Sequence, residues 1–260
     1  MEDAALAARR NRRGQQRGRG RFGALYKLLS FVLIAAAILV GCTVFFRVDK
    51  VEVYGNQRYT AEQIIQAAEV EERDSLFLLN KFKMIGQLLT RLPYIDDVTM
   101  YRKWPDTWVI EVREGRSAAA VEGLGAWWIV NSRGKIVERT DAAGAAAYPA
   151  VAGLTPDAPT VGSILKAPEE ESMKLQSLLS LLKELDSLGM MEGVDSIDLT
   201  AANEIILGYV GRFTVKLPMS GSDFRPLLRT VDRAVTESLS ETDTGVIDAT
   251  LKEVHFIPSR

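Results

Sequence analysis

The chain has 260 residues, and its 32 Lys and Arg nearly balance 34 Asp and Glu, for a formal charge of −2. It holds one histidine, His255, and one cysteine, Cys42. Those counts exclude zinc sites built from His and Cys, a Cys-His nucleophile pair and an intrachain disulfide, so stability must come from packing.

The charge is unevenly spread. Arg9, Arg10, Arg12, Arg13, Arg17, Arg19, Arg21 and Lys27 precede residue 28 against only Glu2 and Asp3, an arm of +6, which leaves −8 for the remainder. Leu28 to Phe46 then gives nineteen consecutive positions without a formal charge. At 1.5 Å per residue such a helix reaches about 28 Å, close to the roughly 30 Å hydrocarbon core. Residues 28–46 are therefore predicted to be one transmembrane helix. The basic arm, residues 1–27, acts as the topology signal that keeps the N-terminus cytoplasmic and sends the rest outside.

Two rival readings concern the same run. A cleavable signal peptide has a shorter apolar stretch followed by a small-residue site, whereas here Ala35-Ala36-Ala37 lies mid-run and Phe45-Phe46-Arg47 follows. Leu39-Val40-Gly41-Cys42 looks like a bacterial lipobox, with Cys42 as the lipidated residue; the long basic arm and the apolar residues beyond Cys42 speak against it. Ala37 and Gly41 also form one small-xxx-small pair that would let another helix approach. Gly18-Arg19-Gly20-Arg21-Phe22-Gly23 satisfies G-x-G-x-x-G, but it follows Arg-rich sequence rather than a strand, so a dinucleotide site is rejected. The arginine-glycine texture also suits RNA or anionic lipid, and a topology signal suffices to explain it.

Beyond the span, Val51 and Val53 alternate with Lys50, Glu52 and Tyr54 up to Gly55-Asn56, a short strand and turn. Thr60-Ala61-Glu62-Gln63 reads as a capping box opening a helix through Ala68, with Ile64, Ile65 and Ala68 inward. Phe82, Ile85, Leu89 and Leu92 recur at helical spacing until Pro93 stops them, which predicts a second helix. Val98-Thr99-Met100-Tyr101 and Trp108-Val109-Ile110-Glu111-Val112 are alternating strands joined by Trp104-Pro105-Asp106-Thr107. The order is β-α-α-β-β.

That unit, placed after a single span, with Leu92-Pro93-Tyr94-Ile95 leading into Arg102-Lys103-Trp104-Pro105-Asp106-Thr107 and then Ile110-Glu111-Val112-Arg113-Glu114, resembles the POTRA domain of the FtsQ/DivIB cell-division family. The layout of the whole chain is similar, and the Trp-Pro-Asp-Thr hairpin is the most specific part. Trp127-Trp128-Ile129-Val130, Asn131-Ser132-Arg133-Gly134 and Lys135-Ile136-Val137 form strand, turn and strand, the start of what looks like the family's β domain. Similar proteins often have Asp where Asn131 stands, a change that a turn tolerates.

Tyr148-Pro149-Ala150-Val151-Ala152-Gly153 leads to a helix over Glu169 to Leu188, with Leu175, Leu178, Leu179, Leu182 and Leu185 as an apolar stripe and three glutamates at its N-terminus. Strands follow at Val194 to Leu199, Glu204 to Tyr209 and Phe213 to Leu217. A helix with Phe224, Leu227, Leu228, Val231 and Val235 on one side comes next. The last strand is Val246-Ile247-Asp248, or a longer ribbon through Leu251, Val254, Phe256 and Ile257. The fold class is α+β, with a POTRA-like domain at 47–116, a mixed β-sheet domain with packed helices at 117–257 and a tail at 258–260.

The resemblance implies a noncatalytic scaffold of the divisome with no cofactor, metal or small-molecule substrate, partnered by single-span division proteins of the FtsL and FtsB/DivIC type at the septal membrane. An edge strand carries unpaired backbone groups to which an extended partner segment can add. The expected edge is Ala249 to Phe256, with Thr250, Leu251, Val254 and Phe256 as partner-binding candidates, weighed against a plain role in the sheet core. Val51, Val53 and their neighbours are a second candidate surface, with core the more natural reading. His255 in Val254-His255-Phe256-Ile257 reads as a strand side chain rather than the base a Ser-His-Asp site would need. Two other classes stay open: another POTRA-bearing envelope assembly or secretion protein, although no β-α-α-β-β repeat is visible, and a membrane-anchored cell-wall hydrolase with a carboxylate site.

Overall fold

The computed structural model describes residues 19–45, 47–71, 74, 79–219, 223–240, 242–251 and 254–259, without the side chains of 19–24 and 42–45. Arg9, Arg10, Arg12, Arg13 and Arg17 lie outside the described residues. The first element, helix α1, runs over Arg19–Phe45, so it begins before the predicted span and carries Arg19, Arg21 and Lys27 on its first turns. Gly20 and Gly23 are helical, which leaves no loop at the G-x-G-x-x-G match. The described large apolar side chains on α1 are exposed, Phe31 at 71% and Leu39 at 66% among them. Among the described residues no helix is long and apolar enough to cross a membrane, and described side chains on α1 cover only 25–41.

The β-α-α-β-β order is present. It consists of β1 (Lys50–Tyr54), α2 (Ala61–Ala68), α3 (Lys81–Arg91), β2 (Ile95–Lys103) and β3 (Thr107–Glu114), with sheet order β1-β3-β2. Thr60 closes the capping box: its hydroxyl accepts from the Gln63 N–H at 3.3 Å while the Gln63 side chain accepts from the Thr60 N–H at 2.9 Å. Two orphan donors at the start of α2 are thereby satisfied. Helix α2 buries Ile64, Ala67 and Ala68, with Ile65 half-buried.

Helix α3 forms where expected but turned about its axis. Met84 and Leu88 are its buried residues; Ile85, Leu89 and Leu92 are half-buried, and Phe82 is 76% exposed. The hairpin between β2 and β3 falls at Trp104-Pro105-Asp106, as the turn residues predict.

Residues 117–258 form a nine-stranded mixed sheet. Its strands are β4 (Ser117–Gly123), β5 (Ala126–Asn131), β6 (Ile136–Thr140), β7 (Ala150–Ala152), β8 (Val194–Asp198), β9 (Glu204–Tyr209), β10 (Phe213–Pro218), β11 (Gly245–Asp248) and β12 (His255–Pro258). The spatial order is β12-β11-β10-β9-β8-β7-β4-β5-β6. Most neighbours are antiparallel hairpins; β4-β7, β7-β8 and β10-β11 are parallel and need crossovers.

The crossovers include α4 (Ala142–Ala145), α5 (Ser172–Ser187) and α6 (Arg225–Arg233), the last continuing as a π turn over Ala234–Ser238. The leucine stripe of α5 meets the sheet through Leu178, Leu181, Leu182 and Leu185, with Leu175 and Leu179 at its margin. Phe224, Leu228 and Val231 from the α6 region enter the same core beside Val215, Leu217 and Ile247.

Two compact units divide the chain. One gathers α1, the start of β1 and the β2–β3 hairpin tip; the other gathers α2, α3, the remaining parts of the small sheet and the whole large sheet.

Candidate partner-binding edge

A sheet that ends in solvent exposes backbone donors and acceptors, so the two ends of the large sheet are the places to examine for strand addition. One end is partly covered. Beside β6, the Ile136 N–H donates to the Ser163 carbonyl at 2.8 Å, the Gly162 N–H to the Ile136 carbonyl at 2.8 Å and the Leu165 N–H to the Gly134 carbonyl at 2.7 Å. The 160s segment thus occupies the start of that edge, at residues 134–136. At the other end lies β12, with no strand beyond it among the described residues.

Strand β12 is paired antiparallel to β11, with Gly245 opposite Pro258, Val246 opposite Ile257, Ile247 opposite Phe256 and Asp248 opposite His255. Phe256 turns inward, half-buried, and meets Phe213 edge-to-face with centroids 6.1 Å apart. Val254 also packs on the main core. Ile257 points the other way and is 55% exposed, flanked by exposed His255 and Pro258.

The expected ribbon from Ala249 to Phe256 is not one strand. Strand β11 ends at Asp248, whose carboxylate accepts from the Thr250 N–H at 2.9 Å and from the Thr250 hydroxyl at 2.6 Å. This local side-chain turn competes with continued pairing and ends the strand. The Thr250 hydroxyl and N–H, followed by Lys216 and His255, hold the Asp248 carboxyl below its ordinary value.

Of the sequence candidates, then, Thr250 is half-buried in a turn, Leu251 is 64% exposed beside it, and Val254 and Phe256 anchor the edge strand to the core. Sequence reasoning passed over Gly245 and gave Ile257 no partner role. Gly245 lets β12 approach, since a Cβ there would stand 2.2 Å from the Ile257 carbonyl oxygen. The glycine opening a β-branched run was the available signal.

A second polar constellation joins the small and large sheets. Lys135 is buried, and its ammonium donates to the Leu89 carbonyl at 2.9 Å and the Ile95 carbonyl at 2.8 Å. The Leu89 carbonyl belongs to the last turn of α3, where a cation also suits the helix dipole. The Asn131 amide donates to the Asp96 carboxylate, and its own oxygen accepts from the N–H groups of Arg133 and Lys135. Burial pushes the Asp96 carboxyl up, opposed by Lys135, and burial pushes Lys135 down.

Nearby, the Tyr94 hydroxyl donates to Glu138 while the Arg58 guanidinium stacks 3.7 Å from the Tyr94 ring centre. Burial, reinforced by Glu138, pushes the Tyr94 phenol up to about 12. Each ionisable group here faces a structural partner, and the arrangement is that of a joint. Among the described residues, no cluster of three or more His, Cys, Asp or Glu is placed to hold a metal ion.

A β-α-α-β-β module followed by a large mixed sheet defines the class: a POTRA-bearing protein. The comparisons agree. Residues 46–114 match the family model described as POTRA domain, FtsQ-type. The chain is similar to cell division protein FtsQ of Syntrophotalea carbinolica, 22% identical over 236 residues that cover 87% of this chain and 80% of that one. It is also similar to FtsQ of Geotalea daltonii, 24% identical over 57% of this chain and 52% of the relative. Cell division protein DivIB of Geobacillus kaustophilus is 30% identical over 39% of this chain and 41% of its own.

Among solved structures, the major extracytoplasmic domain of DivIB from Geobacillus stearothermophilus matches 49% of this chain and 98% of that domain, at 11% identity and a TM-score of 0.29. The chain spans about half the length, or less, of the first curated relatives it matches. The chain is similar to the FtsQ and DivIB cell-division proteins, and its residues 46–114 match an FtsQ-type POTRA domain.

Proposed function

We propose that the protein is a noncatalytic, single-span scaffold of the bacterial division machinery. In this reading residues 28–46 cross the cell membrane, with the basic arm in the cytoplasm. The POTRA-like domain (47–116) and the β domain (117–257) work outside it, at the septum. Its partners are other single-span division proteins of the FtsL and FtsB/DivIC type, and it needs no cofactor.

The observation that carries the reading is the FtsQ-type POTRA match over 46–114 on a chain similar to proteins named for cell division. The uncovered edge at β12 supplies the physical means. A partner segment adds there as a tenth strand, with backbone bonds giving affinity and Leu251 and Ile257 giving side-chain specificity; Thr250, Val254 and Phe256 set the shape of the edge.

Imaging a fluorescent fusion on the N-terminus in dividing cells of the native host tests this. A midcell band that appears with constriction is the expected result, and uniform envelope signal at every stage would contradict it.

A further inference from the structure

The β2–β3 hairpin presents an aromatic tip that the scaffold role leaves without a task. Tyr101, Arg102, Lys103, Trp104 and Pro105 are five consecutive exposed positions, with Trp104 at 56% and Tyr101 at 44%. An exposed tryptophan on a tight turn wets a large apolar surface, and its indole suits the boundary where one side is apolar and the other hydrated.

The position of this tip along the chain is fixed by hydrogen bonds. The Asp106 carbonyl accepts from the N–H groups of Asp49 at 2.9 Å and Lys50 at 3.4 Å. Helix α1 ends at Phe45. Asp49 is four Cα-to-Cα steps beyond Phe45, an extended reach of about 14 Å at most. The turn bearing Trp104 is therefore tied to the first few residues that leave the helix. The headgroup region of one leaflet is roughly 5–7 Å deep, so a tip on so short a tether lies within reach of it. Arg47, Lys50, Arg102 and Lys103 are exposed around the same exit, where basic side chains meet anionic headgroups. Lys103 also pairs with Glu52 at 3.0 Å, which fastens the hairpin to β1 beside the tether.

We infer that the Trp104-Pro105 tip docks into the headgroup layer of the outer leaflet, with the Trp104 indole at the acyl boundary. This rests on the reading of α1 as a membrane span. The docked tip sets the tilt and height of the POTRA sheet above the membrane, a second attachment beside the helix itself.

The test uses the full chain reconstituted into phosphatidylethanolamine and phosphatidylglycerol vesicles whose acyl chains carry bromine near the headgroup. Bromine quenches tryptophan emission only at close range, and the remaining tryptophans, Trp108, Trp127 and Trp128, are buried or half-buried in protein. Wild type should lose emission relative to unbrominated vesicles and resist acrylamide, while Trp104→Phe falls to background quenching with an unchanged thermal midpoint. Absence of bromolipid quenching in wild type, with acrylamide reaching Trp104 freely, overturns the docking and leaves the tip to a protein partner. Cys42 separates this from failure of the span: an impermeant maleimide that labels it only after detergent shows the helix inserted, whereas labelling in intact vesicles sinks the span itself.

Discussion

Lys135 occupies a position that few lysines tolerate, with its ammonium buried against two main-chain carbonyls and Asp96 nearby. Removing one member of such a group leaves the others desolvated and unmatched, which costs more than the net worth of the contact. Lys135→Met is expected to destabilise the protein by about 2–4 kcal/mol, read from the denaturant midpoint. Asn131→Asp brings a second carboxylate beside Asp96, and a smaller loss of stability in the same measurement is expected.

Asp248 gives a pH dependence with a definite sign. Its folded-state carboxyl titrates below the ordinary value, chiefly through the Thr250 hydroxyl and N–H. Its contribution is therefore fully present above the ordinary carboxylate range and lost as pH falls through the lower folded value. The gap in thermal midpoint between wild type and Asp248→Ala should narrow across that acid window, and a gap that stays constant would remove the carboxylate from the account. None of this joint was legible beforehand beyond the oddity of Asn131 in its turn. Partners such as Leu89 and Ile95 lie some 40 residues away in the chain and act through backbone carbonyls, which leave no mark in a sequence.

Elements were easier to read than the faces they bury. The Thr60 capping box, the Trp104-Pro105 turn and the leucine-rich α5 all stand where local chemistry put them, because caps, turns and strong stripes are decided within a few residues. Helix α3 shows the limit. Its eleven residues offer two apolar rows, and tertiary packing chose Met84 and Leu88 over the row begun by Phe82. Strand β4 escaped because Ala118-Ala119-Ala120-Val121 is buried on both faces and shows no alternation.

At β12 the break after Asp248 hid the true edge. Gly245→Val should push β12 off the sheet, because a Cβ there meets the Ile257 carbonyl oxygen at 2.2 Å. Amide exchange would accelerate across residues 255–257 while β9 and β10 keep their protection. Leu251→Glu and Ile257→Glu, both at exposed positions, should leave the unfolding free energy within about 0.5 kcal/mol of wild type yet weaken partner binding at least tenfold.

For the whole molecule, the similarity to division proteins and the uncovered β12 edge support the proposed role, that of a membrane-tethered platform for other chains. Its charge asymmetry belongs to this scale. Replacing the eight basic residues of the arm with glutamine should randomise orientation, seen as alkaline phosphatase activity from an N-terminal fusion that is silent in wild type. The POTRA pattern was legible because it depends on period and local turn chemistry. The nine-strand order was not, since three parallel pairings join strands far apart in sequence.

The most direct measurement is photocrosslinking in dividing cells from a benzophenone amino acid at position 257, with position 130 in the buried sheet as control. The account predicts an adduct at 257 that mass spectrometry identifies as a single-span division protein, its crosslinked residues forming an extended stretch, and none at 130. A functional protein that reaches midcell yet gives no division-protein adduct from 257 would contradict the edge as the docking site.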